Sequence, residues 1–153
     1  MLDADGINAL AGHIDTLSCR RGCMTVLTPH DGELARIGGD MTAPREAAAA
    51  AFAADHGVYL IRKGHRTVAA APDGRLAVNT TGNDGMAKGG SGDVLTGVTA
   101  ALLGQMETER AAVTACAVHA GAGDVCAQKL GEYGMTPSDI IEELPYIFKT
   151  ITE

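Results

Sequence analysis

The sequence predicts an α/β fold, on three observations. Val58-Tyr59-Leu60-Ile61 is a continuous apolar run, the pattern of a parallel strand covered on both faces. Segments with apolar residues at helical spacing lie on either side of it, from Ile7 to Leu17 and from Glu107 to about Gln128. A glycine-rich stretch, Thr81 to Asp93, runs directly into the apolar, helix-like segment Val94 to Leu103. The 153 residues suffice for one domain with a real core, and an apolar content of 46% is ordinary for a globular chain. The net charge of −7 argues against a nucleic-acid or anionic-membrane surface, where Lys and Arg dominate. No apolar run is long enough to span a bilayer, and the start lacks the basic and apolar regions of a signal peptide, so a cytoplasmic location is expected. Cys19, Cys23, Cys116 and Cys126 lack zinc-site spacing and read as reduced, structural thiols.

Taken in order, Leu2-Asp3-Ala4-Asp5 reads as the end of a buried strand with no element before it. A domain rarely begins mid-sheet, and an unpaired strand with uncovered apolar faces is expected to be covered by self-association or a partner chain. Asp3 and Asp5 would point to opposite faces, and Asp5, nearer the strand's end, is expected to face a ligand. Ile7, Leu10, Ala11, Ile14 and Leu17 predict one helix, and Arg20-Arg21-Gly22 an exposed turn. Met24-Thr25-Val26-Leu27 is a short strand ended by Pro29. His30 follows at the carboxyl end of that strand, where open α/β sheets place their ligands. Thr42-Ala43-Pro44-Arg45-Glu46 signals a helix start with Thr42 as cap, and Gly57 is the natural stop.

Lys63-Gly64-His65-Arg66-Thr67 leaves the Val58–Ile61 strand with two cations and a glycine, which suits a phosphate but also a solvated basic turn. Thr67 to Val78, folded about Pro72-Asp73-Gly74, predicts a β-hairpin at a sheet edge. In the glycine-rich stretch the backbone can approach a ligand closely, and the helix that follows offers unpaired N–H groups and a positive dipole end. Asp93 would repel a phosphate and is better suited to removing a proton, although Asp is also common helix-cap material. No Gly-Lys-Ser/Thr triplet closes the loop, so it is not a Walker A loop.

The helix from Val94 is expected to bury Val94, Leu95, Val98, Ala101 and Leu102, with the small residues Thr96, Gly97 and Ala100 packed against another helix. In the next helix Ala111, Ala115, Val118, Ala122 and Val125 form the buried face. Gly121 and Gly123 imply a close backbone approach beneath the glycine-rich loop, and His119 and Asp124 read as structural supports. A short last helix, Ile140 to Leu144, is expected to end at Pro145.

Asn83 through Gln105 resembles the signature of the ADP-dependent NAD(P)H-hydrate dehydratases, a branch of the ribokinase-like superfamily. Leu2 to Asn8, Leu27 to Arg36 and Arg62 to Thr67 resemble its acidic strand-end, substrate-loop and nucleotide-loop motifs in the same order, with Asp31 where the family usually has Pro. The resemblance implies a ribokinase-like, mostly parallel sheet with helices on both faces, lacking its amino-terminal portion. Residues 1–153 would form one partial nucleotide-binding domain. The implied reaction is ADP- or ATP-dependent dehydration of hydrated NADH and NADPH, with Mg²⁺ accompanying the nucleotide and no protein metal ligand assigned. Asp93 would be the catalytic base and a substrate contact. Lys63, Gly64, His65, Arg66, Thr67, Asn83, Gly89, Gly90, Ser91 and Gly92 would hold the nucleotide, and His30, Glu33, Arg36 and Asp5 would face the hydrate. Asp31 in place of Pro is expected to loosen the substrate loop. Two alternatives share these residues: a ribokinase-like kinase of a vitamin-precursor alcohol, and a catalytically incomplete nucleotide-binding fragment acting through assembly.

Overall fold

The computed structural model describes residues 1–20 and 22–152. Arg21, part of the turn expected after Arg20, lies outside the described residues. The sheet has four strands in the order β1 (Val26–Leu27), β2 (Tyr59–Arg62), β3 (Val68–Ala70) and β4 (Leu76–Val78). β1 and β2 are parallel, and Leu2 adds a single parallel bridge to Leu27. β2–β3 and β3–β4 are antiparallel, the second pair being the expected hairpin at the sheet edge. Parallel pairing among the described residues is thus confined to the Leu2–β1–β2 side.

Residues alternate across this sheet. Leu27, Leu60, Val68 and Ala70 enter one core, which Ile7, Leu34 and Phe52 complete. Val26, Ile61 and Ala69 enter the other with Val94, Leu95, Ala115 and Cys126. The period-two pattern of the strands therefore requires helical cover on both faces, as expected. The first core is covered by α1 (Ala4–Asn8), a 3₁₀ helix (Ile14–Arg20), α2 (Asp31–Arg36) and α3 (Arg45–His56). The second is covered by α4 (Ser91–Leu103), α5 (Thr108–Gly134) and α6 (Pro137–Thr152).

Several elements differ from expectation for identifiable reasons. The single helix over Ile7 to Leu17 is broken, because Gly12 takes φ +73° between α1 and the 3₁₀ helix; Ile7, Leu10 and Leu17 are buried all the same. α3 starts at Arg45 with Pro44 in the cap position, since Thr42 instead donates its N–H and hydroxyl to Asp40. α5 continues past Gln128 to Gly134, with Gly131 non-helical at φ 73°. α6 passes through Pro145 rather than ending there, its apolar side (Ile140, Leu144, Ile147, Phe148) packed on the second core. In α4, Thr99 is buried and Ala101 exposed; Gly97 is exposed with nothing within 4 Å of a would-be Cβ, so no helix among the described residues packs against it.

Candidate active site

The glycine-rich loop, the loop after β2 and the end of β1 converge on a cleft of about 540 Å³. Ser91, Gly92 and Asp93 form the first turn of α4, so the helix begins three residues before the expected Val94. Gly90, at φ 96°, caps it in a conformation L side chains rarely adopt. The Ser91 N–H is satisfied by Lys88 O at 3.2 Å, while those of Gly92 and Asp93 meet no protein acceptor among the described residues. Free N–H groups at the positive end of a 13-residue helix make an anion site. Lys63 reinforces it, because a Cβ on Gly92 would lie 3.4 Å from the Lys63 Nζ.

Lys63 is itself held. Its Nζ donates to Asp3 Oδ1 at 2.7 Å and lies 3.7 Å from Glu33 Oε2. Asp3 Oδ2 accepts from Thr96 Oγ1 at 2.7 Å, tying the strand end to α4. Partial burial pushes the Asp3 carboxyl up, but bonds from Lys63, Thr96 and Thr28 and the Lys63 charge together leave it below the usual carboxylate value.

The loop rests on α5. Asp124 accepts from the Gly82 N–H and the Asn83 Nδ2, both at 2.9 Å. Met86 fills the space over Gly123, where a Cβ would overlap its sulfur. A Cβ on Gly85 would stand 2.7 Å from Glu132 O, which fits the loop flush against the end of α5. Lys88 Nζ donates to the carbonyls of Glu132, Tyr133 and Met135 at 3.0, 3.0 and 2.5 Å, groups a helix end leaves unpaired. Gly121 is different: its would-be Cβ meets only Ile147 at 3.7 Å, an ordinary contact with α6. His119 is buried with Nε2 at 3.4 Å from Ser91 Oγ, and burial lowers its pKa to about 4. Cys116, also at the cleft, is pushed up to about 12 by burial, so it stays a thiol. All four cysteines are free.

Asp93 is exposed and makes no hydrogen bond or ion pair among the described residues. It lines the cleft on one side and, on the other, a largely apolar groove of about 1120 Å³ between α4, α5 and α6. A free carboxylate beside an anion site is placed to take a proton from a hydroxyl presented to that anion.

On the opposite wall, His30 caps α2. Its Nδ1 accepts from the N–H groups of Gly32 and Glu33 at 3.0 and 3.2 Å, and Glu33 Oε2 accepts from the His30 N–H at 2.8 Å. With Nδ1 used as an acceptor, the ring's proton is on Nε2, which lies 3.4 Å from Glu33 Oε1 where His30 lines the cleft. Glu33 is buried in this capping box and beside Lys63, which leaves it a supporting role.

Of the residues expected at the site, His30, Glu33, Lys63 to Thr67, Asn83 and Gly89 to Asp93 all line the cleft. Two do not. Asp5 is exposed on α1, because Ala4 turns the chain at φ 43° directly after the bridge at Leu2; Asp3 takes the place at the cleft. Arg36 is at the far end of α2, where its Nη1 donates to Asn8 Oδ1. Asp31 does not loosen its loop either: Arg45 and Arg62 both bind its carboxylate. Lys88 and Asp3 were not legible as site residues, since each gains its role from a partner distant in sequence, and Cys116 reaches the cleft only through the packing of α5. Asp124 and His119 support the loop as their helical positions suggested. Among the described residues, no group of three or more His, Cys, Asp or Glu is placed to hold a metal ion, and no helix is long and apolar enough to cross a membrane.

A family model described as NAD(P)H-hydrate dehydratase matches residues 1–146. The chain is 42% identical to the bifunctional NAD(P)H-hydrate repair enzyme of Moorella thermoacetica over all of its own length and 30% of that protein's. It is 36% identical to the ADP-dependent (S)-NAD(P)H-hydrate dehydratase of Neisseria meningitidis, again over its full length and 54% of the relative's. Among solved structures, the ADP/ATP-dependent NAD(P)H-hydrate dehydratase of Bacillus subtilis, co-crystallised with ATP and Mg²⁺, superposes with a TM-score of 0.79 at 30% identity, over 83% of this chain and 49% of that one. A ribokinase-like superfamily protein from Enterococcus faecalis superposes at 0.77 with 28% identity, over 96% of this chain and 51% of that one. The chain thus spans between about a third and about half of the length of these relatives.

Proposed function

Since the chain belongs to the NAD(P)H-hydrate dehydratase family, we propose that it takes part in repair of hydrated NADH and NADPH with ADP or ATP as phosphoryl donor. The observation that carries this reading is the unpaired Asp93 carboxylate in the same helical turn as the free N–H groups of Gly92 and Asp93, with Lys63 alongside. The hydrate's ring hydroxyl would give its proton to Asp93 as its oxygen bonds to the terminal phosphorus and the bridging P–O bond breaks. Charge on the transferring group would be stabilised by the α4 N–H groups and Lys63. The ring then loses the phosphate and a neighbouring C–H proton, which restores the dihydronicotinamide. His30, which lines the same cleft with Nε2 beside Glu33, would contact the hydrate there.

A cleft of about 540 Å³ with glycines and cations on its walls suits a nucleotide. Residues 63–67, Asn83 and Gly89 to Gly92 would hold it. Mg²⁺ would be carried by the nucleotide's phosphates and water rather than by a protein cage, given the lack of a ligand cluster among the described residues. This reading includes a cytoplasmic location and an oligomer, or a partner chain, covering the groove between α4, α5 and α6. The test is recovery of NADH absorbance when the chain is incubated with hydrated NADH, ADP and Mg²⁺. Asp93→Asn is expected to slow recovery by about 10²–10⁴-fold, the usual worth of a general base. Undiminished recovery in that variant would remove Asp93 from the chemistry.

A further inference from the structure

We propose that Asp31, Arg45 and Arg62 form a positioning network that couples the wall carrying His30 to the loop of residues 63–67. The three side chains come from separate elements: Asp31 opens α2, Arg45 opens α3 and Arg62 ends β2. Arg45 Nη1 donates to both Asp31 oxygens, at 2.7 and 2.8 Å, and Arg62 Nε donates to Oδ1 at 2.8 Å. Arg62 is 5% exposed, and a guanidinium that deep requires a counter-charge. Asp31 supplies it; partial burial pushes its carboxyl up, but the two guanidiniums outweigh that and leave it below the ordinary value.

Arg45 carries the link to the cleft. Its Nη2 donates to Lys63 O at 2.6 Å and Arg62 O at 3.1 Å. Gly64, at φ 138°, lies flush against it: a Cβ there would be 2.8 Å from Nη2. A cation in the first turn of a helix opposes the macrodipole, so α3 itself gains nothing from Arg45 at that position. Its Nε is buried without an acceptor among the described residues, which leaves the terminal nitrogens to hold the side chain. The Lys63 N–H donates to Pro29 O at 2.8 Å, beside His30, and closes the circuit. A shift of the His30 wall therefore moves the backbone that aims Lys63 and Gly64.

Only the nucleotide arm of the test rests on the proposed function. Amide hydrogen exchange at Lys63 reads the network directly in the unliganded chain, and calorimetric titration with Mg²⁺-ADP reads its consequence. Asp31→Asn is expected to speed exchange at Lys63 by roughly tenfold while α5 amides stay protected, and to weaken ADP binding about fivefold. Asp31→Glu should recover much of both. Arg45→Lys, which keeps the charge but cannot span Asp31 and Lys63 O together, should reproduce the asparagine variant and serves if that variant does not fold. Unchanged exchange at Lys63 in Asp31→Asn and Arg45→Lys overturns the network. A wild-type chain that binds no ADP overturns the nucleotide reading, and the exchange result still decides the network.

Discussion

His119 lies behind the anion site with its ring 3.4 Å from the Ser91 hydroxyl, and burial keeps it neutral by lowering its pKa from 6.5 to about 4. Between those values the unfolded chain binds a proton that the folded chain does not, so stability should fall as pH drops from 6.5 towards 4. The shift corresponds to a loss on the order of 3 kcal/mol. Urea denaturation at pH 7 and pH 5 checks this: His119→Gln should flatten the difference, and equal differences in both proteins would refute it. The carboxylates act in a lower window. Asp3 and Asp31 both sit below their ordinary 3.8, so what they contribute is present above it and lost as pH falls beyond it. Asp3 and Asp5 also show the limit of reading single residues. Strand alternation set them on opposite faces, but the turn at Ala4 decided which one reached the cleft.

Among the elements, α5 sets the geometry of the glycine-rich loop. Asp124 holds the loop's start, Gly123 gives Met86 room, and the helix end receives Lys88. The stripe Ala111, Ala115, Val118, Ala122 and Val125 was visible in the spacing, although Val125 is only half-buried, and Gly123 beside it pointed correctly to a close approach. The Lys88 cap was not visible, because it closes 44 to 47 residues along the chain. Lys88→Met should cost about 1–2 kcal/mol by leaving three helix-end carbonyls without their cation. It should also weaken Mg²⁺-ADP binding, since the loop between Lys88 and Gly90 leads straight into the α4 turn. Denaturation and titration on one sample read both effects. An unchanged affinity would mean that the loop keeps its shape without the clamp.

The whole molecule is a sheet with a separate apolar core on each face, and the cleft opens where the Gly-rich loop, β1 and β2 end. The broad groove between α4, α5 and α6 is the second large feature, with Ile141 and Ile151 more than half exposed along it. Exposed apolar surface of that extent favours association. On the proposed reading, light scattering should give a mass above that of one chain, and Ile141→Asp should lower it. A monomer at micromolar concentration would set that part of the reading aside.

Local order alone determined the α/β class, the hairpin, most of the apolar face of α4 and α5 and the loop that meets α4, because strand alternation, helical spacing and glycine act over a few residues. The family motifs lie in the same short stretches, so the cleft's main residues could be named in advance. Tertiary structure decided what depends on distant partners. Asp31 is locked by Arg45 and Arg62 instead of loosening its loop, Asp3 replaces Asp5, Lys88 closes a helix end and α6 continues through Pro145. Charges and carbonyls choose partners by proximity in space, and no local pattern records which of them the folded chain brings within reach.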